Sequence, residues 1–119
     1  MKYLLMIYDD ENVRHALAPA ERDALHTGYM RLVEELGAAY LGGAPLQKTS
    51  TASSVRVRDG KTQVTDGPFA ETREQLGGYY LIDAASMDEA LDIAARVPGA
   101  RTGSIEVRAI MQMPSGVGA

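Results

Sequence analysis

Cysteine and tryptophan are absent from this chain of 119 residues, and phenylalanine occurs once, at Phe69. Without a thiol there is no disulfide, no thiolate metal site and no cysteine nucleophile. Positive charge is scarce as well: the net charge is −4 and the isoelectric point about 5.1. That balance argues against nucleic acid as a main partner, because neutralising phosphates takes a basic surface. No apolar run approaches the roughly 18 residues of a membrane span, so no membrane partner is expected. The opening run Met1 to Tyr8 has the apolar character of a signal-peptide core, but it is short and leads straight into Asp9-Asp10-Glu11 with no small-residue cleavage site. It reads as a buried strand of a cytoplasmic protein. His15 and His26 are the only histidines; they and the carboxylates show no ligand spacing, so no metal and no cofactor are expected. Gly42-Gly43 lacks the Lys-Ser/Thr pair and following helix of a phosphate loop.

What is there fits one domain over 1–112 with a disordered tail over 113–119. Residues 2–8 form an apolar run with aromatics, a strand buried on both faces. A polar connection runs from Asp9 to Leu17. Pro19 then suits the first turn of a helix, and Leu25, Tyr29, Leu32, Val33 and Leu36 recur at helical spacing, predicting an amphipathic helix over 19–36 closed by Gly37. A weak strand over 38–44 and a polar loop over 46–52 follow. Residues 54–58 and 61–65 flank Asp59-Gly60, a strong hairpin turn. Tyr79 to Ile82 is a second strongly apolar strand. Ser86-Met87-Asp88-Glu89 is a capping box opening a helix that Pro98-Gly99 ends, and a final strand occupies 104–111.

The order is therefore β-α-β, a hairpin, then β-α-β: an α+β, ferredoxin-like split βαβ with an inserted β-hairpin. Two helices cover only one face of such a sheet. Yet Tyr3, Leu5 and Ile7 point to one face and Leu4, Met6 and Tyr8 to the other. The second face calls for a cover, either the inserted hairpin folded back or a second copy of the chain in a symmetric homodimer, which is the expected arrangement.

The longest polar stretch, Asp66-Gly67-Pro68-Phe69-Ala70-Glu71-Thr72-Arg73-Glu74-Gln75-Leu76-Gly77-Gly78, exceeds what a strand reversal needs. With Tyr79-Tyr80 it resembles the signature of the DGPF-domain proteins within the YCII-related family. Lys2 to Tyr8, Val55 to Lys61 and Gly103 to Arg108 also fit that resemblance. It implies a dimeric α/β-barrel assembly of ferredoxin-like subunits. It implies little about activity, although some relatives look like lyases or dehalogenases acting on small ring-containing acids, and some are encoded beside extracytoplasmic-function sigma factors. Broader relatives carry a His-Asp pair. Its histidine lies in a His-x-x-Tyr pattern eleven residues before a glycine, which His26, Tyr29 and Gly37 match. Its aspartate lies in the loop after the second strand, where Gly43 to Ser50 contains no carboxylate.

His26 is the candidate acid–base group, because histidine is the side chain whose ordinary titration falls nearest neutrality; the alternative is a half-exposed helix histidine. Asp66 is the candidate catalytic partner, or else it caps its own Gly67-Pro68 turn. Glu71 and Arg73 are candidate ligand-binding residues, the arginine through its fork, or members of a solvated face. Tyr29 and Tyr80 are candidate pocket phenols. Phe69 is expected to anchor the signature turn. The functional expectation is a small-molecule-binding protein, in one form an acid–base enzyme of lyase or isomerase type on a small organic acid. The alternative is a non-catalytic interaction protein associated with an extracytoplasmic-function sigma factor.

Overall fold

The computed structural model describes residues 1–113. The expected disordered tail therefore lies, beyond Met113, outside the described residues. Alternation in the opening run produces β1 (Lys2–Asp9), with Tyr3, Leu5 and Ile7 buried and Leu4, Met6 and Tyr8 half-buried on the other face. The segment expected as a plain connection holds a one-turn helix, α1 (Glu11–His15). Asp10 caps it, its side chain accepting from the amides of Asn12 and Val13. Val13 is its one large apolar residue, so no helical periodicity announced it.

Helix α2 (Pro19–Leu36) begins at the proline and ends at Gly37, whose φ of 55° only glycine adopts without strain. A short 3₁₀ turn (Gly37–Ala39) then shifts β2 to Tyr40–Pro45, slightly later than the sequence suggested. Strands β3 (Ser53–Arg58) and β4 (Lys61–Asp66) pair through a tight turn in which Asp59 and Gly60 both have positive φ, 52° and 73°. Strand β5 (Gln75–Asp83) is longer than the apolar run Tyr79–Ile82, because the glycines and Gln75 of the signature already belong to it. Ser86 caps α3 (Met87–Ala95) by accepting from the Glu89 amide. After a 3₁₀ turn at Pro98–Arg101, β6 (Ser104–Ala109) closes the chain, two residues shorter than expected.

The main sheet has the order β2-β5-β1-β6, antiparallel throughout. This is the ferredoxin-like α+β arrangement, with the hairpin as a separate two-stranded sheet. Both long helices lie on one face. Between them and the sheet, Leu5, Ile82 and Val97 are fully buried together with Tyr3, Leu32, Ala90 and Ile93. Burying such a side chain contributes about 1.5–3 kcal/mol.

The hairpin does not cover the opposite face. Every residue of β4 and all of β3 except Ser54 are exposed, including Val55, Val57 and Val64. Among the described residues no layer covers the opposite face, which carries Leu4, Met6, Tyr79 and Leu81. The molecule is accordingly flat, 48 × 45 × 19 Å.

Candidate functional site

A cleft of about 240 Å³ opens between α2 and the end of the sheet formed by β1, β2 and β5. Its walls are mostly apolar: Ile7, Met30, Val33 and Pro45, with the rings of Tyr29, Tyr40 and Tyr80. Tyr80 organises the aromatic side. Its ring meets Tyr40 edge-on at 5.2 Å and Tyr29 edge-on at 6.1 Å, and its hydroxyl donates to the Tyr29 carbonyl at 3.4 Å. Burial pushes the Tyr80 phenol up to about 12, with the neighbouring Tyr40 and Tyr29 adding to the effect. Burial likewise raises Tyr29. Both phenols are therefore neutral hydrogen-bonding groups at ordinary pH.

Glycines allow the strands to close round the cleft. A Cβ on Gly43 would collide with the Tyr79 carbonyl and with the Tyr80 ring. A Cβ on Gly77 would lie 3.0 Å from Arg14 Nη2 and 3.1 Å from Asp9 Oδ1.

Asp9, Arg14 and His26 are, besides the tyrosines, the ionisable side chains of its lining. Asp9 sits at the end of β1, where the strand register against β5 shifts between Ile7 and Tyr8. Its side chain is 14% exposed, and Arg14 Nε approaches its Oδ2 to 2.8 Å. That contact is an ion pair without good hydrogen-bond alignment, since Arg14 Nε and Asp9 Oδ1 are both buried and neither has a hydrogen-bond partner among the described residues. Desolvation raises the Asp9 carboxyl above its ordinary value; Arg14 opposes this, and Glu11 and Glu74 add to it. The same pair also walls a second hollow, about 370 Å³, on the far side near Leu17 and Leu25.

Helix α1, which carries Arg14, is tied down at its start. Glu11 is buried, an unusual place for a carboxylate unless it is paired. Its two oxygens accept from the backbone amide and the hydroxyl of Thr49, and the Thr49 hydroxyl bond holds the carboxyl below its ordinary value. The Glu11 amide donates to Gln75 Oε1 at 3.1 Å, while Gln75 Nε2 donates to the Thr72 carbonyl at 2.6 Å. The signature segment and the loop after β2 thus grip α1 from two sides.

Of the residues expected from sequence, His26, Tyr29 and Tyr80 come together in this cleft. His26 is exposed, at its rim. Asp66, Glu71 and Arg73 are not among its lining residues. Asp66 ends β4 opposite Ser53, exposed, and Glu71 borders a shallow hollow with Thr49, Pro68 and Gln75. Arg73 is also exposed. Phe69, expected as an anchor, is 82% exposed, because the loop turns it outward instead of onto the sheet. Asp9 and Arg14 were missed in the sequence. The available signal was an aspartate ending an apolar strand, followed at once by a helix cap. Among the described residues no group of three His, Asp or Glu is placed to hold a metal ion, and no helix is long and apolar enough to cross a membrane.

Comparison with known proteins agrees with the fold. The family model of the YCII-related domain matches residues 1–114. An uncharacterized protein of Rhizobium meliloti (strain 1021) is 44% identical over 112 residues, covering 91% of this chain and 90% of the relative. Among solved structures, the fold is similar to a 5-chloro-2-hydroxyhydroquinone dehydrochlorinase from Burkholderia phenoliruptrix AC1100, in complex with 2,5-dihydroxybenzoquinone. The TM-score is 0.56 at 15% identity, covering 95% of this chain and 96% of that one.

Proposed function

The chain belongs to the YCII-related family, and we propose that its cleft binds a small ring-containing organic molecule, with His26 as the acid–base group of a lyase- or isomerase-type proton transfer. The observation that carries this reading is the convergence of Asp9, Arg14 and His26 on a cavity otherwise walled by aromatic and aliphatic side chains. A mostly apolar hollow with a few convergent polar groups is what a small-molecule site requires. Its volume of about 240 Å³ suits a single ring. The similar dehydrochlorinase, whose structure holds a hydroxylated quinone, supports a ring ligand and chemistry in which a proton leaves.

The reading includes a homodimer in which the uncovered sheet faces meet, because Leu4, Met6, Tyr79 and Leu81 would otherwise face water. Phloroglucinol in D₂O tests the proton transfer. Its ring protons exchange through the keto tautomer: a ring carbon gains a deuteron as a hydroxyl proton leaves, and a ring proton then departs as the hydroxyl reforms. The protein should accelerate exchange seen by proton NMR, and His26→Ala should slow it by about 100-fold or more. Equal rates for the two proteins remove His26 from the chemistry.

One observation favours the interaction reading. Phe69 and Arg73 lie exposed in the signature segment, as a docking surface for an extracytoplasmic-function sigma factor would require. Glu71 and Asp66, exposed nearby, belong to this reading. Failure of a purified sigma factor of this class to bind, or equal binding by Phe69→Ala and Arg73→Ala, counts against it.

A further inference from the structure

We propose that Arg14, locked beside Asp9, is the group in the cleft that seats an oxygen atom of the ligand, and that the preferred ligand is a compact ring bearing a carboxylate or enolate oxygen. The inference rests on the reading of the cleft as a small-molecule site. It assigns the anchoring role expected of Arg73 to a residue on a different element.

Three independent features converge on this guanidinium. Arg14 is the one lysine or arginine among the cleft's lining residues. Its Nε is turned to Asp9, 2.8 Å from Oδ2, which leaves the donors of the two Nη groups for a ligand. An arginine keeps its charge at every relevant pH, so the Nη donors not spent on Asp9 form, at the end of an apolar cavity, a ready site for an acceptor oxygen. A charge-assisted bond there is stronger than a neutral one.

The second feature is the bracing. Helix α1 has five residues and could not hold a side chain in place unaided. The buried Glu11, the two bonds from Thr49 and the Gln75 bridge fix its first turn, and Arg14 is the residue this helix contributes to the cleft. The third is the glycine beneath it: at Gly77 any side chain would press on Arg14 Nη2. Within the proposed tautomer exchange, Arg14 faces the oxygen that takes up the electron pair when the ring proton departs, the place where a fixed positive charge lowers the barrier.

Asp9 positions this group and does not replace it. By pairing through Nε it turns the guanidinium and offsets part of its charge. Gln75 is a positioning residue one step further out.

The test titrates benzoate and its neutral isostere benzamide into the full-length protein. Binding is followed by calorimetry, and occupancy of the cleft by the NMR signal of the Met30 methyl group. Wild type should bind benzoate about tenfold or more tighter than benzamide, Arg14→Gln should bring the two level, and Gln75→Ala should weaken benzoate alone. Benzoate that still moves the Met30 signal but binds Arg14→Gln as tightly as wild type overturns the assignment and leaves the cleft reading standing. If neither probe moves the Met30 signal, both fall. Should Arg14→Gln fail to fold, the wild-type comparison decides alone: no preference for benzoate overturns the proposal.

Discussion

Substituting Thr49 should reveal how strongly the fold depends on one buried carboxylate. Glu11 accepts both the amide and the hydroxyl of Thr49. Thr49→Ala removes the hydroxyl and leaves the amide, so one bond to a charged acceptor is lost in a half-buried place. Such a bond contributes about 1.5–3 kcal/mol. Urea unfolding of wild type, Thr49→Ala, Glu11→Gln and the double variant forms a cycle whose coupling should be about 1–3 kcal/mol. The pH dependence follows from the direction of the titration shift. The Glu11 carboxyl is held below 4.5 in the folded chain, chiefly by the Thr49 hydroxyl. Its contribution is therefore complete above that value and is lost as pH falls through the lower folded value. The cost of Thr49→Ala should be full near neutrality and shrink as pH falls below 4.5. A coupling below about 0.5 kcal/mol, or a cost unchanged by acid, would refute the brace.

Other consequences are open to direct measurement. Gly43→Ala should lower stability by about 3 kcal/mol or more, since its Cβ meets a backbone carbonyl and a packed ring; thermal unfolding within a few tenths of wild type would contradict that packing. Leu81→Glu, on the uncovered face, should convert a dimer to a monomer in sedimentation equilibrium, and a wild type that is monomeric at micromolar concentration would refute the facing-sheet arrangement. Phe69→Ala should change stability by less than about 0.5 kcal/mol because the ring is 82% exposed; a larger loss in urea unfolding would show the ring buried against something in solution.

The fold was legible where side-chain periodicity is strong. Alternation in Lys2 to Tyr8, the helical stripe of Leu25 to Leu36 and the Asp59-Gly60 turn each dictated the element that forms. Gly77 and Gly78 look like loop residues in the sequence yet belong to β5; their place in the strand is set by what lies against them, Arg14 and the Ala44 carbonyl. The site was legible in part for a related reason. His26, Tyr29 and Tyr80 sit on long elements whose faces can be counted. Asp9 and Arg14 are brought together by a single helical turn whose existence depends on Asp10, Thr49 and Gln75, and contacts from 64 residues away along the chain leave no local pattern. Asp66 and Glu71 stand out in the signature, whereas the carboxylate in the cleft wall, Asp9, ends the first strand.

The hairpin β3–β4 has its own hydrogen-bond ladder and none in common with the four-stranded sheet. Its base is closed by the Gly67 amide donating to the Ala52 carbonyl and by the Ser54 hydroxyl donating to the Gly67 carbonyl. The chain should therefore open as two units of unequal strength on one string. Amide protons of Val55 to Thr65 should trade with solvent while those of β1 and β5 stay locked. A fluorophore or affinity tag spliced between Asp59 and Gly60 would ride on the weaker unit, reporting on assembly without entering the cleft.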